Sequence, residues 1–173
     1  MSDRTDSFDL GRLGLTTGEG RRLDLHVQIE PLSFGGQRYA AAGAGVPVRL
    51  DVSRTTASGY VLRLRFEVAL EGPCTRCLSE ASRALAVDAR EIDQPGAGDD
   101  ELKSPYVDRD VLDLRSRARD ALVLALPTSI VCREDCLGLC AICGTDLNEA
   151  GPDHGHEREP DPRWAKLREL SIE

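Results

Sequence analysis

Six cysteines carry the concentrated chemistry of this sequence. Four fall within twelve positions of "VCREDCLGLCAICGTDLN" (131–148): Cys132, Cys136, Cys140 and Cys143. The other two, Cys74 and Cys77, form a separate C-x2-C in "EGPCTRCLSE". Zinc takes four tetrahedral thiolates at about 2.3 Å, so its ligands must converge from different directions. In Cys140-Ala-Ile-Cys143 a two-residue spacer lets a tight turn aim both sulfurs at one point. Gly144 follows, free to take positive φ. Cys132 and Cys136 lie one helical turn apart, so a turn-like segment can offer both from one face. Gly138 gives the backbone room to reverse between the pairs. The spacing predicts a structural Zn2+ held by Cys132, Cys136, Cys140 and Cys143, in a segment with few apolar residues to order it otherwise.

Other ligand sets compete. Two C-x2-C knuckles brought together make a zinc ribbon, which would use Cys74, Cys77, Cys140 and Cys143. His154 or His156 can replace one cysteine. Cys74 and Cys77 also fit plain buried thiols at a turn after a strand. A redox dithiol is disfavoured, because the βαβ surroundings that lower an attacking thiol's pKa are missing. A catalytic zinc would need an open coordination position and a general base. Glu134 and Asp135 sit in the motif, but in so acidic a segment they read as solvated.

Elements must bring these groups into place. "RRLDLHVQIE", "GVPVRLDVSR" and "GYVLRLRFEVAL" alternate apolar and polar residues with period 2, and a fourth strand includes Leu85 and Val87. They predict an α+β fold: an antiparallel sheet or open barrel with one buried face. Residues 93–105, rich in Asp, Gly and Pro, read as an exposed mobile loop. The period then changes. Val111, Leu114, Ala118, Ala121, Leu122 and Ala125 share one face of a packing helix that Asp110 caps and Pro127 closes. Beyond the Cys-rich zinc-knuckle segment, Asp161-Pro162 starts a short C-terminal helix that buries Trp164, Leu167 and Leu170. The expected organisation is a mobile segment 1–20, a β-rich domain with its packing helix at 21–127, and a Cys-rich zinc-binding segment with its helix at 128–173.

Net charge is −8, and residues 91–173 hold the whole acidic excess. Such a half cannot wrap a polyanion, so any nucleic-acid contact falls to a local patch. Arg63 and Arg65 share one strand face near Arg49, with Arg76 and Arg83 following. That face could grip RNA phosphates, or be a solvated face balanced by Glu67 and Asp51. With three Phe, three Tyr and one Trp, no aromatic ladder for base stacking is visible. No apolar stretch is long enough to span a bilayer, and the charged N-terminus does not read as a secretory signal. A cytoplasmic location is expected, where thiols stay reduced. No phosphate-cradling glycine loop, nucleophile elbow or spaced acid–base pair is present.

"CTRCL" at 74–78 after an alternating strand, a helix ending in "LALP", then "VCREDCLGLCAICGTDLN" and "DPRWAKLREL" together resemble the bacterial YceD family over residues 20 to 170. The most specific matches are "GLCAICGTDLN" and the C-x-R-C-L turn at Cys74, Arg76, Cys77 and Leu78. The resemblance implies a cytoplasmic, non-enzymatic factor that supports synthesis, processing or stability of large-subunit (23S) rRNA. Its partner would be the rRNA precursor or a basic ribosomal protein, with no membrane and no small-molecule substrate. The family supplies no catalytic residues to carry over. The alternatives are a zinc-stabilised protein-interaction module unrelated to rRNA, and a thiol oxidoreductase.

Overall fold

The spine of the fold is the strand along which Tyr60, Leu62, Leu64, Phe66, Val68 and Leu70 alternate with polar and small residues. All six are buried, Leu70 completely. The computed structural model describes residues 5–94 and 102–156. In chain order it contains β1 (Ser7–Asp9), a 3-10 turn (Leu10–Leu13), β2 (Gly20–Val27), β3 (Leu32–Phe34), β4 (Gln37–Ala41) and β5 (Val46–Arg54). There follow β6 (Tyr60–Pro73), β7 (Glu80–Asp93), β8 (Val107–Asp108), β9 (Val111–Asp113), α1 (Leu114–Leu124) and α2 (Leu147–Ala150).

Every strand pairing is antiparallel. β7 runs beside β6 from Tyr60↔Asp93 to Pro73↔Glu80. The other edge of β6 is shared, with β5 along its first half and β4 meeting its far end at Ala41↔Leu70. β2 continues the sheet outside β5, and β3 outside β4. A small second sheet has the order β1-β9-β8. Antiparallel sheets with one principal helix make this an α+β protein, as the patterning predicts.

The β3–β4 hairpin has no counterpart in the periodicity reading, because both strands are too short to alternate visibly. Its signal is the dipeptide Gly35-Gly36, with φ 58° and 73°, the paired positive values of a two-residue hairpin turn. Phe34 and Tyr39 stack beside it at 4.1 Å. The Tyr39 hydroxyl donates to the Pro73 carbonyl at 2.9 Å. A Cβ on Gly72 would fall 2.4 Å from the Tyr39 ring, so only glycine fits there. This contact ties β4 to the end of β6 that leads into Cys74.

The helix begins three residues later than predicted. Arg109 and Asp110, at φ 47° and 63°, form the turn between β8 and β9, so Asp110 cannot cap. Asp113 caps instead, accepting the Ser116 N–H at 3.0 Å. Leu114, Ala118, Ala121 and Leu122 then face the core as expected. Arg117 is buried with them. Its guanidinium donates to the Arg90 carbonyl at 3.0 Å and pairs with Glu91 at 3.5 Å, which satisfies an otherwise costly buried charge.

Within the segment 1–20, read as mobile, β1 pairs with β9 and Leu10 is 1% exposed. Of the predicted loop 93–105, positions 95–101 lie outside the described residues. Its flanks are pinned: Gln94 N–H donates to Leu102 O at 2.8 Å, and buried Asp93 accepts the Ser104 N–H at 3.1 Å. The predicted helix carrying Trp164, Leu167 and Leu170 also lies outside the described residues. Among those described, no helix is long and apolar enough to cross a membrane.

Candidate metal centre

The two C-x2-C motifs fold alike. At the tip of the β6–β7 hairpin, Cys74 N–H donates to Ser79 O at 2.7 Å and Leu78 N–H donates to Cys74 O at 3.0 Å. In the Cys-rich segment, Cys140 N–H donates to Thr145 O and Gly144 N–H to Cys140 O, both at 2.8 Å. The residue after each second cysteine has positive φ, 65° at Leu78 and 74° at Gly144. Each knuckle thus turns its backbone inward and points two sulfurs to one side.

Each knuckle then receives its own second pair. Cys74, Cys77, Cys132 and Cys136 bring their sulfurs within 4.8 Å of one another, and Cys140, Cys143, His154 and His156 do the same with sulfur and ring nitrogen. The predicted quartet Cys132, Cys136, Cys140 and Cys143 is therefore divided between two clusters. The zinc-ribbon alternative, Cys74 and Cys77 with Cys140 and Cys143, is divided as well. The reason is the reversal at Gly138. At φ 80° it passes so close beneath Arg76 that a Cβ would lie 3.2 Å from the Arg76 carbonyl. That reversal leaves Cys132 and Cys136 on the hairpin side and turns Cys140 and Cys143 away.

The four-thiol cluster joins the β-rich body to the Cys-rich segment. Thr75 N–H and hydroxyl both donate to Ile130 O, at 2.8 and 3.1 Å. The Arg76 guanidinium donates to Cys136 O at 2.8 Å, and Leu139 N–H donates to Arg76 O at 3.2 Å. Behind Cys136, Asn148 accepts the Leu137 N–H at 2.8 Å, held in turn by the Asp146 cap of α2. Cys74, Cys77 and Cys136 are buried, while Cys132 is exposed. Cys74 and Cys136 sulfurs stand 3.8 Å apart, and those of Cys77 and Cys132 stand 3.6 Å apart. These exceed a disulfide bond of about 2.05 Å by far. They match the edge of about 3.8 Å of a tetrahedron of sulfurs around zinc.

Protonation in the cluster is uneven. Burial pushes the Cys74 thiol up, but the N–H groups of Cys77, Arg76 and Cys132 outweigh it and bring Cys74 down to about 6. A hydrogen bond with Ser79 favours the Cys132 thiolate, yet burial and the facing thiols of Cys77, Cys136 and Cys74 push it up to about 11. Cys74 is thus favoured as the thiolate and Cys132 as the thiol. A divalent cation is the group that would let all four ionise together. Glu134 and Asp135 are exposed, and Asp135 pairs with Arg133 at 3.4 Å.

The arginine-bearing sheet face is an ion-pair ladder. Arg63 donates to Asp88 at 2.8 Å, Arg49 to Asp24 at 3.2 Å, and Arg22 to Asp51 at 2.7 Å, while Arg65 also pairs with Asp51. The acidic partners stand on β2, β5 and β7: Asp24 lies directly opposite Arg49 and Asp51 opposite Arg22, whereas Asp88 and Asp51 reach Arg63 and Arg65 diagonally. Each carboxylate takes one or two of a guanidinium's five N–H groups and offsets its charge.

Compared with known proteins, residues 62–171 match the family model described as "Large ribosomal RNA subunit accumulation protein YceD". A Mycobacterium tuberculosis (strain ATCC 25618 / H37Rv) protein named as uncharacterized is 33% identical over 170 residues, 95% of this chain and 80% of its own. One from Mycobacterium leprae (strain TN), also named as uncharacterized, is 30% identical over 169 residues, 94% of this chain and 76% of its own. In Zea mays, the "Large ribosomal RNA subunit accumulation protein YCED homolog 1, chloroplastic" is 38% identical over 68 residues, covering 39% of this chain and 22% of its own. No solved structure matches.

Proposed function

The chain belongs to the YceD family, and from that membership we propose that it is a non-enzymatic factor supporting the synthesis, processing or stability of large-subunit rRNA, with a structural Zn2+ at Cys74, Cys77, Cys132 and Cys136. The observation that carries this reading is the family match itself. It spans β6, β7, α1 and the Cys-rich segment, and so includes both halves of the four-thiol cluster. The donor set fits the ion. Four thiolates around one zinc would make a closed site, which supplies folding energy and leaves no coordination position for substrate. A redox role fits less well, because three of the four sulfurs are buried.

The contact surface of this reading is the Cys-rich end. Leu78, Leu137 and Ile142 stand 53%, 66% and 61% exposed there, each next to a cysteine. A metal-held backbone would present them rigidly to a basic ribosomal protein, whose charge complements the acidic C-terminal half. The paired arginines of the sheet face supply little free positive potential for RNA.

Depleting the protein in growing cells and measuring 23S against 16S rRNA tests the function. The expected result is a selective fall in large-subunit rRNA. An unchanged ratio, with large-subunit precursors at normal levels, overturns it. Replacing Leu78 and Leu137 together by Asp tests the surface: co-sedimentation with large-subunit precursors should drop, and unchanged co-sedimentation rejects that end as the contact.

A further inference from the structure

We propose that Cys140, Cys143, His154 and His156 form a second site for a zinc-class divalent ion, so that the folded chain takes two. This goes beyond the function above and stands independently of the four-thiol site. The distances fit such an ion. A zinc ion with thiolates at about 2.3 Å and imidazole nitrogens at about 2.05 Å has S–N edges of about 3.6 Å and an N–N edge of about 3.3 Å. Cys143 Sγ lies 3.5 Å from His154 Nε2, and the Nε2 atoms of His154 and His156 lie 3.2 Å apart. The two imidazoles meet edge to face, at 83°, with their Nε2 atoms turned toward one another. Two neutral imidazoles in that pose gain at most one hydrogen bond, whereas an ion between them uses both lone pairs.

Burial does not explain the convergence. Cys143 and His156 are exposed, His154 and Cys140 are half-buried, and α2 between them buries no residue. Among the described residues, 151–156 are held by a local hydrogen bond from His154 N–H to Gly151 O at 3.4 Å and by the contacts inside the quartet. A hydrated loop with no apolar anchor has no reason to bring two imidazoles against a cysteine knuckle, and a shared ion supplies one. The donor set differs from the four-thiol site in type, S2N2 against S4, and in exposure.

The test is the ion count of the full chain, purified reduced, loaded with Zn2+, desalted and weighed by native mass spectrometry. The wild type should hold two equivalents and His154→Ala/His156→Ala one. His154→Cys/His156→Cys should recover the second, because thiolates serve the same geometry. These changes sit on an exposed loop away from the core, so the strands should keep their far-UV spectrum. Equal ion counts in wild type and the alanine variant overturn the proposal. A wild type with one ion, lost in Cys132→Ser but indifferent to the histidines, overturns the second site and leaves the first standing. A chain that takes no ion overturns both.

Discussion

Leu78 and Gly144 do the same backbone work with different side chains. Both close a cysteine knuckle at positive φ, a conformation that costs an L-residue about 1–2 kcal/mol and glycine almost nothing. Leu78 is half-exposed, so its substitution forfeits little burial. Leu78→Asn should therefore raise stability by about 0.5–1 kcal/mol in denaturant unfolding, since Asn tolerates this region better than Leu. A loss of stability would mean that the Leu78 side chain packs more than its exposure suggests. Asp51 makes a second prediction. Its hydrogen bond from Arg22, joined by that from Arg65, outweighs burial and holds the carboxyl below the usual carboxylate range. A depressed folded pKa stabilises above the unfolded value of about 3.9 and is lost as pH falls through the folded one. Asp51→Asn should thus lower stability at pH 6 and flatten the acid limb below about pH 4. An acid limb as steep as wild type would show that Asp51 contributes nothing there. At this scale much was legible: the C-x2-C spacer, Gly144 and Gly138 all mark turns where the knuckles and the reversal are found.

Elements decide which cysteines meet, and here spacing misleads. Cys74 and Cys77 reach Cys132 and Cys136 because β6 and β7 form a hairpin whose tip projects beside residues 130–139. The C-x2-C spacing gives the turn at that tip but not its neighbour more than fifty residues on. The three strands with clear alternation and the packing face of α1 were readable for the usual reason, that each has one face in the core. The β3–β4 hairpin was not, since three- and five-residue strands carry too few repeats and only Gly35-Gly36 betrays the turn. Gly138 is the element-scale lever. Gly138→Ala adds a Cβ 3.2 Å from the Arg76 carbonyl at φ 80°, so the reversal should lose about 2 kcal/mol or more. Hydrogen exchange should then speed in residues 130–150 while β5, β6 and β7 keep their protection. Protection unchanged in both regions would show that the close passage under Arg76 does not hold the segment.

For the whole molecule, a sheet and helix supply an apolar core, and the four-thiol cluster lies where a segment with little core of its own meets it. Ile130 and Cys136 are buried, but the rest of residues 131–150 offers mostly half-buried or exposed side chains. Chelation should accordingly loosen this end and spare the sheet, so the contact surface proposed for large-subunit assembly would be lost before the fold is. The claim on which this rests is that Cys132, exposed and remote in sequence from the hairpin tip, shares one ion with Cys74, Cys77 and Cys136. Because Cys132 contributes nothing to the core, Cys132→Ser isolates ligation from folding. Native mass spectrometry of the zinc-loaded chain should find one ion fewer in Cys132→Ser than in wild type, and an unchanged count, or a wild type that binds none, would contradict the account.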